Sequence, residues 1–171
     1  MPKELIASYK TKEQWLNEGE TQYKDKAYTE ALAAYEQAIH LDPSYARAYT
    51  GKGIVLRNLK RYEEALASCE KAIELNPGYA LAHTSKGNAL RNLKQYEEAL
   101  AACSQAIQLD PNDPRAYTSK GNALRNLNQY EEALAAYEQA IQLDPNYAHA
   151  LARCEAHPTN RMLATHGLLA I

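Results

Sequence analysis

Polar side chains able to grip a polypeptide recur in this sequence at a fixed interval. Asn58, Asn92 and Asn126 stand 34 residues apart, as do Arg57, Arg91 and Arg125, and Thr50, Thr84 and Thr118. Asn88 and Asn122 add a shorter column, and Arg47 and Arg115 recur two intervals apart. An Asn side chain carries an amide donor and a carbonyl acceptor, so a row of them can pair with both halves of successive peptide units. Arg offers a planar fork of donors shaped for a carboxylate or a phosphate. Such a set suits an extended segment that bears acidic side chains or a C-terminal carboxylate.

No comparable constellation points to catalysis. The chain has no Gly-rich phosphate loop and no nucleophile elbow. Adjacent carboxylates such as Glu63 and Glu64 cannot face each other on a helix. Cys69 and Cys103 stand where Tyr35 and Tyr137 stand one interval away, so they read as core fillers. His149, Cys154 and His157 lie close together, but no fourth ligand accompanies them and their spacing matches no standard zinc pattern. The expectation is a protein that is not an enzyme and holds no cofactor or metal.

Composition narrows the setting. A formal charge of -2 and a pI near 6.2 argue against non-specific nucleic-acid binding, which needs a strong basic surplus. The three Cys form no CxxC pair and no even disulfide framework, which favours a reducing compartment. Met1 to Lys10 mixes Lys3, Glu4 and Lys10 with a very short apolar stretch, unlike a signal peptide. No apolar run approaches the ~18 residues that cross a bilayer. These features predict a cytoplasmic chain with no membrane partner.

The elements that must position the columns follow from the same interval. Residues 80–113 and 114–147 agree at 27 of 34 positions, and 12–45 and 46–79 fall into the same frame. Each frame has Gly (Gly19, Gly53, Gly87, Gly121) followed by Tyr (Tyr28, Tyr62, Tyr96, Tyr130). Small Ala residues follow at Ala31, Ala65, Ala99 and Ala133 and again at Ala38, Ala72, Ala106 and Ala140. Pro43, Pro77, Pro111 and Pro145 close the frames. Small columns let two helices approach closely. The closing Pro lacks an N–H and restricts its predecessor, so the second helix of each frame must end near Leu41, Leu75, Leu109 and Leu143.

A period of 34 with an aromatic, Gly, Tyr, Ala, Ala and Pro in this order resembles the tetratricopeptide repeat, over residues 12–147. The resemblance implies an all-α fold, a right-handed α-solenoid of four antiparallel helix hairpins. Residues 1–11 would precede it and a short C-terminal helical tail, 148–171, would follow. Two departures stand out. His83 replaces the aromatic that reads Trp15, Tyr49 and Tyr117 elsewhere, and the inter-helix turn carries Lys26, Lys60, Lys94 and Asn128 where Gly is common. A left-handed backbone there would be tolerated by Asn and mildly strained for Lys.

The resemblance further implies that the first helix of each hairpin lines a concave groove. The inward positions would be Glu13, Leu16, Glu20, Tyr23 and Lys24 in the first repeat and Arg47, Thr50, Ile54, Arg57 and Asn58 in the second. Leu81, Thr84, Asn88, Arg91 and Asn92 would follow in the third, then Arg115, Thr118, Asn122, Arg125 and Asn126 in the fourth. These hold six cations against two anions, while Glu63, Glu64, Glu70, Glu97, Glu98, Glu131, Glu132 and Glu138 lie on second helices. A basic inside would steer an acidic protein or peptide ligand into the groove. Duplication of a solvated face accounts for the same columns without a ligand, and the Arg column can equally pair with Glu of a neighbouring hairpin.

The family's two-carboxylate clamp for chaperone tails would fall on Thr50, Ile54, Ser85, Arg115 and Ser119, where only Arg115 has the required charge. Chaperone-tail binding is therefore not expected. Residues 148–156 read as the start of a fifth first helix that stops before Pro158. A last helix from about Asn160 would carry Met162, Leu163, Leu168 and Leu169 on one side, and a second reading is a self-associating structural module, a homo-oligomer through the near-identical repeat ends or this apolar tail. RNA binding is disfavoured, because Tyr23 would be the groove's one stacking platform.

Overall fold

A computed structural model describes residues 10–148 of the chain. Among them are eight helices and no strand: α1 (Lys12–Lys24), α2 (Tyr28–Leu41), α3 (Ala46–Asn58), α4 (Tyr62–Leu75), α5 (Ala80–Asn92), α6 (Tyr96–Leu109), α7 (Pro114–Asn126) and α8 (Tyr130–Leu143). The tail helices expected over 148–156 and from 160, and the His149, Cys154 and His157 cluster, lie outside the described residues.

Local chemistry sets each boundary. Thr11 caps α1 in a capping box, its hydroxyl accepting from the Gln14 N–H while the Gln14 side chain accepts from the Thr11 N–H. Asp113 caps α7, accepting from the Arg115 N–H at 3.0 Å, and Pro114 takes the first helical position. All four first helices end in one way. Lys26, Lys60, Lys94 and Asn128 adopt φ of 61° to 64°. Their N–H groups bond the carbonyls of Tyr23, Arg57, Arg91 and Arg125, and the next residue's N–H reaches back to Gln22, Leu56, Leu90 and Leu124. This is the paired Schellman pattern, here with Lys where Gly would be free of strain.

The second helices end at Leu41, Leu75, Leu109 and Leu143, one residue before the cap and two before each Pro. The capping Asp42, Asp110 and Asp144 then fold over the proline. Each accepts from the backbone N–H two residues on, at 2.9, 3.1 and 3.0 Å.

The chain forms two compact units, α1–α4 through Pro77 and α5–α8 from Gly78. In the first, α1 packs on α2, α2 on α3 and α3 on α4, and α1 also touches α3. The second repeats the scheme, with α5 touching α7. Short connections make each successive pair antiparallel. The cores are built largely of Ala, with Leu16, Leu32, Tyr35, Val55 and Leu56 the larger members in the first unit and Leu90, Leu124 and Tyr137 in the second. A Cβ on Gly121 would lie 2.5 Å from the Tyr137 ring, so the close approach of α7 and α8 requires glycine there. Gly51 meets the same limit against Tyr35 of α2, again at 2.5 Å.

Candidate functional site

The ladder residues sit on the first helices, and each unit is described separately. In the first unit, Arg47 donates to Glu20 across α3 and α1 at 3.2 Å. Asn58 donates its amide back to the Ile54 carbonyl at 2.8 Å, leaving its oxygen as an acceptor. Arg57 is half-buried and makes no ion pair among the described residues. In the second unit, the Asn88 amide donates to Ser119 Oγ at 3.0 Å, which ties α5 to α7. Asn122 Oδ1 accepts from the Tyr137 hydroxyl at 3.0 Å, so its NH2 stays available. Asn92 and Asn126 are half-buried and make no side-chain hydrogen bond among the described residues. Arg125 is likewise half-buried without an ion pair among them.

The threonine column departs from the expectation. Thr50 is 1% exposed and Thr84 3%, and their hydroxyls donate to Ala46 and Ala80 carbonyls at 3.1 and 3.3 Å. Thr118, half-buried, donates to the Pro114 carbonyl at 2.9 Å. Bonding one turn back satisfies a buried hydroxyl and leaves nothing to offer a ligand. Thr50 and Thr84 are therefore helix-packing residues, and the accessible stripe is narrower than five positions per helix.

Arg115 is also committed elsewhere. Its Nε donates at 2.8 Å to Asp113, a carboxylate only 6% exposed, and this bond raises the guanidinium pKa. The cap residue thus neutralises one expected groove cation. Asp before Pro is a readable helix-start signal, although the pairing with Arg115 two residues on is not.

The faces differ in charge. The set expected to face inward holds Lys24, Arg47 and Arg57 against Glu13 and Glu20 on the first unit, and Arg91, Arg115 and Arg125 on the second, where Asp113 offsets Arg115. Among these expected positions, α5 and α7 carry cations and no acidic residue of their own.

Two thiols, Cys69 and Cys103, are packed away. Burial pushes Cys103 up to about 12, with Arg91 and Lys120 pulling weakly the other way, so it stays protonated at neutral pH. Cys69 is fully buried against Gly53. Among the described residues no three His, Cys, Asp or Glu cluster to hold a metal, and no helix is long and apolar enough to cross a membrane.

Comparisons place this architecture. The chain resembles the solved structure of TTC0263, a thermophilic TPR protein of Thermus thermophilus, with a TM-score of 0.79 at 21% identity, over 84% of this chain and 80% of that one. It resembles MamA (41-end) of Desulfovibrio magneticus RS-1 with a TM-score of 0.68 at 26% identity, over 96% and 92%. The first TPR of Spaghetti (RPAP3), solved with the HSP90 peptide SRMEEVD, matches with a TM-score of 0.65 at 24% identity, over 69% and 94%. No curated protein matches the chain. The Tetratricopeptide repeat family matches residues 16–80 in one of its forms and 80–113 and 114–147 in another. With eight helices in four hairpins on that period, the chain belongs to the tetratricopeptide repeat family, whose fold is that of protein–protein interaction modules.

Proposed function

We propose that the chain is a non-catalytic adaptor that holds an extended acidic peptide along its first helices, chiefly on α5 and α7. One observation carries this reading. Asn92, Asn126 and Arg125 stand half-buried on the ladder face, without hydrogen bonds or ion pairs among the described residues, and no anion shares their face. Half-buried amides have lost part of their water, so a peptide unit that supplies a donor and an acceptor regains it. Arg125 adds a charge-assisted fork for an acidic side chain. The NH2 of Asn122 and the free oxygen of Asn88 extend the row.

The test uses a labelled peptide of six Glu-Ser pairs titrated with the full chain and followed by fluorescence anisotropy. Replacing Asn92 and Asn126 by Ala together with Arg125→Glu weakens binding about 100-fold if two lost amide contacts and one reversed charge cost roughly 3 kcal/mol. Unchanged affinity would sink the assignment. The peptide SRMEEVD, held by the RPAP3 domain, serves as the contrast. It binds here no better than its charge alone provides, because Thr50, Ile54, Ser85 and Ser119 stand where a carboxylate clamp needs Lys, Asn, Asn and Arg.

A further inference from the structure

On the second unit, the side of α7 turned away from the ladder borders a cleft. At about 100° per residue, Tyr117, Lys120 and Leu124 share one side of the helix, and Arg115, Asn122 and Arg125 share the other. Tyr117, Lys120 and Leu124 meet Leu100 of α6 and Ala135 and Ala136 of α8 around a cavity of about 510 Å³, which Glu132 also lines. That volume lies within the range of pockets that take a ligand group, ~300–1,000 Å³.

The first unit shows how the charges of such a place are satisfied from within. Its counterparts lie two repeats earlier. Lys52 Nζ meets Glu36 Oε1 at 2.8 Å, Arg61 clasps both oxygens of Glu64 at 2.6 Å, and Leu32 is buried. In the second unit Glu36 becomes Ser104 and Arg61 becomes Gln129. Lys120 and Glu132 consequently have no ion pair among the described residues, and Leu100 is only half-buried. Both internal counter-charges have gone while the charges they neutralised remain, beside an apolar hollow.

We propose that this cleft docks a segment of a partner protein that brings one apolar side chain flanked by a carboxylate for Lys120 and a cation for Glu132. The apolar group fills the space between Leu100, Tyr117 and Leu124. The flanking charges fix the direction in which the segment runs, since reversing it sets like against like at both ends.

Two capped, alanine-based 15-residue helices serve as probes, each with a central Leu. One has Glu before the Leu and Lys after it, and the other has Glu at both places. The full chain binds the first at least ten times more tightly, because the second sets a carboxylate against Glu132 in either direction. Glu132→Lys inverts that preference. Giving the second unit the first unit's internal partners, Ser104→Glu with Gln129→Arg, weakens the preferred peptide about tenfold, while circular dichroism and melting temperature show that the fold persists. Equal binding of both peptides overturns the proposal, as does a preference that survives Glu132→Lys. A cleft already filled by residues 149–171 or by a second copy binds neither peptide, and that result overturns it equally.

Discussion

Tyr35 in the first unit and Cys103 in the second occupy the same place in their repeats, and the residue across from each has changed to match. Tyr35 is 4% exposed and faces Gly51, whereas Cys103 is followed, at the place equivalent to Gly51, by Ser119. Where the filler is large the neighbouring first helix gives up its side chain. Where it is small, that helix keeps a side chain, whose hydroxyl takes a hydrogen bond from Asn88. The same contrast recurs outside the core. The first unit pairs Lys52 with Glu36 and Arg61 with Glu64, while the second leaves the equivalent Lys120 and Glu132 without ion pairs among the described residues. At these two positions one backbone grammar thus carries a unit that satisfies its charges internally and a unit that leaves them for others.

The largest effect should come from forcing one unit's filler on the other. Gly51→Ser drives a side chain into the Tyr35 ring and lowers stability by about 1–3 kcal/mol, read from the urea midpoint. Cys103→Tyr does similar harm to the second unit, and Ser119→Gly restores part of the loss. A coupling of about 0.5–3 kcal/mol between those two changes is expected, and strict additivity would break the comparison.

Next in size is the difference between the ladder faces. Arg125→Glu weakens the Glu-Ser peptide about tenfold, one lost charge-assisted contact of roughly 1.4 kcal/mol. Arg57→Glu, on a face that already carries Glu13 and Glu20, weakens it less than threefold, or about 0.6 kcal/mol. Equal losses would mean that the bias on α5 and α7 has no consequence for binding.

What the sequence made readable divides along the same line. Backbone grammar was legible because it depends on residue types with few conformational options: the Pro that ends α2, α4, α6 and α8, and the small columns that bring helices together. The site was legible only in part. Helical spacing placed Thr50 and Thr84 near the ladder but could not reveal that burial turns their hydroxyls onto their own helices. Nor could it show that Asp113 occupies Arg115 or that Asn88 reaches Ser119, since these depend on where side chains meet across helices or caps. The α6–α8 cleft was invisible for the same reason. Its only trace in the chain is the absence of Glu and Arg at Ser104 and Gln129, which acquires meaning once Lys52 and Glu64 are seen with their partners.

A smaller effect separates the inter-helix turns. Two left-handed Lys residues lie in the first unit, while the second has Lys94 and the more tolerant Asn128. Replacing Lys26, Lys60 or Lys94 by Gly removes the strain of a Cβ at positive φ and should raise stability by about 0.5–1 kcal/mol each, net of glycine's greater freedom in the unfolded chain. Asn128→Gly should gain less than about half a kcal/mol, because Asn enters this region readily. Thermal melts of the four variants rank them, and a gain at Asn128 equal to those at the lysines would remove the distinction.

The smallest difference concerns acid. In the first unit Lys12 Nζ lies 2.5 Å from Asp42 Oδ2, joining the start of α1 to the end of α2. The hydrogen bond from Lys12, with further bonds from Ser44, lowers the Asp42 pKa from 3.8 to about 2. The same bond raises that of Lys12. A depressed carboxylate stabilises the folded state at every pH above its unfolded value, and the contribution fades as pH falls towards the folded one, because the unfolded chain takes up the proton first. The loss therefore falls between about pH 4 and pH 2, and a Lys12→Met variant should lack that increment of acid sensitivity. The second unit has Ala80 where the first has Lys12, so it has no bridge of this kind to lose. Because the pair is open to solvent, the effect is small and is screened in salt. Melting temperatures of the chain and of Lys12→Met, compared at pH 5 and pH 2.5 in low and high salt, isolate it. Parallel decline of the two proteins would show that the Lys12–Asp42 bridge does not distinguish the units.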